Sequence, residues 1–167
     1  VFDGTTDYLT SPNSGSWDFG GGDFTIEFWV CLDALPGVFA MFVERDSNAT
    51  NKRSWNIGIY PTGKIDASWN KNGTSSGWVA ITTAGTVAVD TWTHIAFVRN
   101  GFISTVYING TADANTSNNG SSVYNSYRGI SIGAYANNTY SMDIVISKDK
   151  DFSNHDDPAA NGAPYTA

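Results

Sequence analysis

The chain has one cysteine, Cys31, so it closes no internal disulfide and builds no thiolate metal centre. Histidine is almost as rare: His94 and His155 stand alone, at no spacing that makes a ligand set. Basic residues number nine against sixteen acidic ones, a formal net charge of −7. Phosphate backbones are bound by clustered Lys and Arg, and nine scattered ones leave no such footprint, which excludes a nucleic-acid partner. The same shortage argues against an anionic membrane surface. There is no apolar run of about 20 residues to cross a bilayer, and no charged-then-apolar opening of a signal peptide. The chain opens on Val1 and enters a strand pattern at once, which reads as a trimmed piece of a longer protein. Charged residues of both signs make up only 15%, so solubility falls to Asn, Ser, Thr and Gly. Such surfaces are common on secreted and virion proteins.

What is plentiful is aromatic and apolar. Of 167 residues, 41% are hydrophobic and 14% aromatic, too many for a disordered chain and enough for one domain with its own core. These residues recur with period two. In Phe24-Thr25-Ile26-Glu27-Phe28-Trp29-Val30, one face takes Phe24, Ile26, Phe28 and Val30, and the other takes Thr25, Glu27 and Trp29. Trp55 to Tyr60 and Lys64 to Asn70 alternate likewise, with Pro61-Thr62-Gly63 as the turn between them. Further strands are expected near 2–9, 38–44, 77–82, 92–99, 102–109, 129–135 and 141–147. No segment has a capped helical period. The pattern predicts an all-β, two-sheet antiparallel β-sandwich or jelly roll. Residues 111–128 read as a long Asn/Ser/Thr/Gly loop. The last residues read as polar tail, so the domain is placed at 1–148 and a C-terminal tail or linker at 149–167.

Several blocks, in order, resemble one family. Phe2-Asp3-Gly4 with Asp7-Tyr8-Leu9 is similar to its first strand, and Gly22 to Val30 is the most recognisable block. Trp92-Thr93-His94-Ile95-Ala96-Phe97-Val98-Arg99, Val106-Tyr107-Ile108-Asn109-Gly110, Ile132-Gly133-Ala134 and Ile146-Ser147-Lys148 follow. Together they resemble the laminin-G-like, concanavalin A-like jelly rolls of extracellular bacterial, marine and phage proteins. The ending Ala163-Pro164-Tyr165-Thr166-Ala167 resembles the run that follows this domain in phage tail and virion proteins. Some relatives build a calcium site near the first and last strands, for which Asp3 would be a candidate. Here Met142 and Val145 stand where the family's Ile-Asp-Glu-Val-Arg-Ile-Ser-like strand has Asp and Arg. A carboxylate moved by one residue in a strand changes face, so no metal or other cofactor is expected.

Catalytic constellations are thin. Gly73-Thr74-Ser75-Ser76-Gly77 has the letters of a nucleophile elbow, but that motif needs a helix after it, and here a hairpin loop is expected. His94 lies in an apolar strand and is expected to be a hydrogen-bonded core histidine. A glycosidase needs two positioned carboxylates. The two glutamates, Glu27 and Glu44, lie on different strands, and Glu27 is expected to pair with Arg99 across neighbouring strands. No enzyme activity is expected.

Carbohydrate needs an aromatic platform with planar amide or carboxylate partners. Asn56, Tyr60, Asp66, Ser68 and Asn70 are expected on one solvated polar face of the 55–70 hairpin, with Trp78 just after it; these six are the candidate ligand-binding residues. The reading is a non-catalytic binding or adhesion module on a virion or other extracellular surface, such as a phage tail fibre or capsid. Its partners would be a glycan or cell-surface ligand and neighbouring virion or surface subunits. The alternatives are a purely structural decoration domain, or an accessory carbohydrate-binding module of an extracellular glycoside hydrolase.

Overall fold

A computed structural model describes residue 2, residues 7–46 and residues 51–134. The expected strand over 141–147, the tail 149–167, and Asp3, Met142, Val145 and His155 lie outside the described residues. The strands are β1 (Leu9–Thr10), β2 (Phe24–Val30), β3 (Ala40–Arg45), β4 (Trp55–Ile59), β5 (Lys64–Asn70), β6 (Trp78–Thr86), β7 (Thr93–Asn100), β8 (Ile103–Ile108), β9 (Thr111–Asn118) and β10 (Ser131–Ile132). One sheet has the order β1-β10-β3-β4-β5-β6 and the other β2-β7-β8-β9, with every pairing antiparallel. Apart from the one-turn helix Gly15–Trp17, the described chain is strand, turn and loop.

The period-two pattern decides what each face carries. In β2, Phe24, Ile26, Phe28 and Val30 oppose Arg99, Phe97, Ile95 and Thr93 of β7, and all face the second sheet. From that sheet come Trp55, Ile57, Ile59, Ile65, Ala67 and Trp69. Ile57, Ile59, Ile65, Ile95, Phe97 and Val106 are fully buried, each contributing roughly 1.5–3 kcal/mol of transfer free energy. Cys31 is buried beside this core, as a small apolar residue would be.

Two buried arginines do the work of joining elements. Arg45, with no side-chain exposure, has its Nε–H and all four Nη–H groups matched by five acceptors: the carbonyls of Arg128 and Trp17 and the side chains of Asp18, Asn13 and Asn125. Arg99 points inward between the sheets, its guanidinium 5.0 Å from the ring centroid of Trp69 on β5.

The structure corrects three expectations. Glu27 does not pair with Arg99: Arg99 opposes Phe24 and faces inward, whereas Glu27 opposes Ala96 on the outer face. Nor is His94 a core residue. It opposes Trp29, sits on that outer face, and its Nε2 lies 3.4 Å from Glu27. The stretch 111–128 is a loop only after Asn118, because Thr111–Asn118 is the edge strand β9. Asn109 and Gly110, both at positive φ (50° and 75°), form the tight turn that launches it.

The two sheets meet along β6 and β9, the last strand in each order. Asp113 Oδ1 and Oδ2 accept from the amides of Ala84 and Gly85, both at 2.9 Å, and Asn115 Nδ2 donates to the Thr82 carbonyl at 2.8 Å. Partial burial raises the Asp113 pKa, but the amides of Ala84, Gly85 and Asn115 and the Lys64 charge outweigh it, leaving the carboxyl below its ordinary value.

Candidate functional site

The register settles which expected site residues share a face. Asn56 opposes Ser68, which opposes Ala80; Gly58 opposes Asp66, which opposes Thr82; and Asn70 opposes Trp78. All lie on the outer face of the larger sheet, so the six residues proposed from sequence are on one side of the sandwich. Glu44, opposite Asn56, is there too. Glu27 is on the other sheet's outer face, so the two glutamates point to opposite sides of the sandwich and form no acid–base pair.

The face is not the solvated surface expected. Asn56 and Asp66 are each 8% exposed, Ser68 4% and Asn70 0%. Some of these short polar side chains hydrogen-bond along the sheet. Ser68 Oγ donates to Asp66 Oδ2 at 2.7 Å and Thr82 Oγ1 donates to Asp66 Oδ1 at 3.1 Å. Asn56 Oδ1 has no hydrogen-bond partner among the described residues. Asn70 is taken up by structure: its Oδ1 accepts from the amides of Asn72 and Gly73, and its Nδ2 donates to the Thr74 carbonyl. It thereby holds the 71–77 loop between β5 and β6, the hairpin loop expected for the Gly73–Gly77 motif, and its side-chain groups are engaged by that loop.

Aromatic side chains stand at both ends of this polar floor. At one end Phe39 and Tyr60 lie 4.8 Å apart, and Tyr60 is 37% exposed. Gly58 makes that possible, since a Cβ there would come within 2.5 Å of both the Phe39 ring and the Ala40 carbonyl oxygen. At the other end Trp78, opposite Asn70, is half-buried and outside the core cluster. Tyr60 is opposite Lys64, six residues from Asn70, so the two ends are separated by roughly 20 Å along the strand. The Tyr60 phenol is tied into the floor. Burial and the neighbouring Asp66 charge hold its pKa above the ordinary value, with a hydrogen bond to the Thr82 side chain opposing them. The face thus carries aromatic side chains at its two ends and hydroxyl, carboxylate and amide groups between them. Sequence reasoning missed Phe39 and Thr82. Phe39 sits in a loop without periodicity, and Thr82 is one of several threonines in β6 until its register with Asp66 is known.

Residues 3–148 match a laminin-G family model described as the concanavalin A-like lectin/glucanases superfamily. No curated protein sequence is significantly similar to the chain. Among solved structures, it is similar to the binding domain of Paraclostridial Mosquitocidal Protein 1 (21% identity, 81% of this chain and 35% of that one, TM-score 0.63). It is also similar to a putative carbohydrate-binding protein from Bacteroides ovatus (13% identity, 84% and 39%, TM-score 0.60). A third is domain 4 of a GH43 extracellular arabinanase from Geobacillus stearothermophilus, in complex with arabinotriose (20% identity, 76% and 57%, TM-score 0.54). The chain spans 35% and 39% of the length of the first two. At these identities the likeness establishes the fold.

Proposed function

The chain belongs to the concanavalin A-like lectin/glucanases superfamily, and from that premise we propose that it is a non-catalytic glycan-binding module displayed on an extracellular or virion surface. One observation carries the reading: the Thr82–Asp66–Ser68 hydrogen-bonded row lies between exposed Tyr60 and half-buried Trp78 on a single sheet face. A sugar ring offers an apolar C–H face and an edge of hydroxyls. The aromatic ends take the first and the polar floor orients the second. The binding and carbohydrate-binding neighbours support the class of function; the virion placement rests on the resemblance of the chain's ending alone.

A glycan array identifies the ligand, and calorimetry on variants locates the site. Tyr60→Ala and Trp78→Ala are each expected to weaken binding by roughly 1–2 kcal/mol, about five- to thirtyfold, the scale of one aromatic contact. Asp66→Asn weakens binding too. It also lowers the melting temperature, because Asp66 is buried and accepts from two hydroxyls. A glycan that binds wild type and both aromatic variants equally places the site elsewhere.

A further inference from the structure

The outer face of the smaller sheet carries a second cluster that the reading above leaves unused. By the register, this face presents Thr25, Glu27 and Trp29 from β2, His94, Ala96 and Val98 from β7, and Thr105 and Tyr107 from β8. Trp29 and His94 are direct cross-strand partners with ring centroids 5.2 Å apart and planes 37° apart. The Glu27 carboxylate, 63% exposed, reaches His94 Nε2 at 3.4 Å. Tyr107 flanks buried Ala96 on the side opposite Glu27, about two strand spacings, or roughly 10 Å, away from it. Trp29 and Tyr107 are both half-buried, so each ring has part of its surface open to solvent although neither belongs to the core cluster.

We propose that this face is a second saccharide site, in which a neutral hexopyranose stacks on the Trp29 indole with its hydroxyls bonded to Glu27 and His94. The inference rests on the reading that the domain binds sugar and adds a site on the opposite side of the sandwich. Three observations select the ligand class. The described strands put no Lys or Arg on this face, and its one carboxylate repels a sulfated or carboxylated glycan. The hydroxyls of Thr25, Thr105 and Thr116 and the amides of Asn100 and Asn118 outnumber the aliphatic Val98 and Ile103 on this face, which suits a sugar better than a hydrophobic protein interface. Finally, an indole beside an exposed carboxylate and an imidazole offers one apolar platform, an acceptor pair, and a group that donates or accepts. That set matches a pyranose whose axial C–H bonds gather on one face while vicinal equatorial hydroxyls project from its edge. Glu27 Oε2 lies 3.4 Å from His94 Nε2, so the two polar partners are adjacent before the ligand arrives.

The test is NMR titration of the whole chain with cellohexaose, mannohexaose and galactohexaose, with a heparin-derived hexasaccharide as the anionic arm. The signals followed are the Trp29 indole N–H, the His94 ring and the Tyr60 and Trp78 resonances. At least one neutral hexasaccharide is expected to shift Trp29 and His94 saturably, and Glu27→Ala, an exposed change that leaves the core intact, weakens that binding at least fivefold. Shifts confined to Tyr60 and Trp78 overturn this inference and leave the first site standing. No shift from any neutral sugar overturns both. Shifts at Trp29 from heparin alone overturn the neutral-ligand assignment. Shifts that appear without sugar as protein concentration rises show a second copy on this face and also overturn it.

Discussion

Arg45 offers the sharpest test of how the loops beside the larger sheet are held. Its guanidinium has no side-chain exposure, and its five N–H groups meet acceptors from residues 13, 17, 18, 125 and 128, segments more than a hundred residues apart. Arg45→Met keeps most of the stem volume and removes every donor. Some of the abandoned acceptors rehydrate, because Asp18 is 31% exposed, so the five bonds do not add in full. Removing one partner of a buried charged pair costs about 3–5 kcal/mol, and Arg45→Met is expected to fall in that range. For a domain of this size each kcal/mol lowers Tm by roughly 2–4 °C, so the fall is about 6–20 °C. Arg45→Lys recovers only part of the loss: three donors on a single nitrogen cannot reach five acceptors in a planar fork. Urea unfolding followed by tryptophan fluorescence reads the change as a lower midpoint at unchanged slope. Limited proteolysis should cut Arg45→Met earlier within residues 11–20 and 124–130 than elsewhere. A loss under about 1 kcal/mol, or a lysine variant as stable as wild type, refutes the account.

Two further outcomes follow from the geometry. Gly58→Ala drives a methyl group into the Phe39 ring and the Ala40 carbonyl; it should destabilise the domain by roughly 1–3 kcal/mol and separate Phe39 from Tyr60, weakening glycan binding more than its effect on Tm alone explains. Asp113 has a pKa below its ordinary value when folded, so its contribution is complete above the ordinary carboxylate range and is lost as pH falls through the folded value; Asp113→Asn should cost about 0.5–1 kcal/mol at pH 7, where an amide oxygen replaces two acceptor oxygens, and acid titration of Tm should fall less steeply for the variant.

The strands were legible wherever side chains alternate between apolar and polar. Phe24 to Val30, Trp55 to Ile59 and Lys64 to Asn70 announce both their conformation and their inward faces, and Pro61-Thr62-Gly63 announces the turn, with Gly63 at φ 78°. Edge strand β9 escaped notice because it reads Thr-Ala-Asp-Ala-Asn-Thr-Ser-Asn, polar on both sides. Yet Asn109-Gly110 before it is the strongest short hairpin signal there is. Partners were harder to read than strands. Glu27 and Arg99 have opposite charges on adjacent strands, but the register sets odd-numbered residues of β2 against even-numbered ones of β7, which puts these two on opposite faces. Two arginines fully buried in a chain this poor in charge run against composition, and it takes the loops folded over Arg45 and the Trp69 ring beside Arg99 to accommodate them. For the candidate site the shared face of Asn56, Asp66 and Ser68 was legible from alternation, while their depth was not: burial depends on neighbours such as Thr82 and Phe39 that come from other strands and loops.

The Asp113 seam also decides what the sheets offer to other molecules. The amides of Ala84 and Gly85 and the carbonyl of Thr82 run along one margin of β6, the kind of backbone row on which a stray strand from another chain can zip itself. Here those groups are engaged by side chains of β9, and the group set against the two amides is an anion, which an incoming strand would have to displace. Copies of this domain held at high local density on one surface can therefore touch along that margin without fusing into a shared sheet, and the seam works as a guard against aggregation.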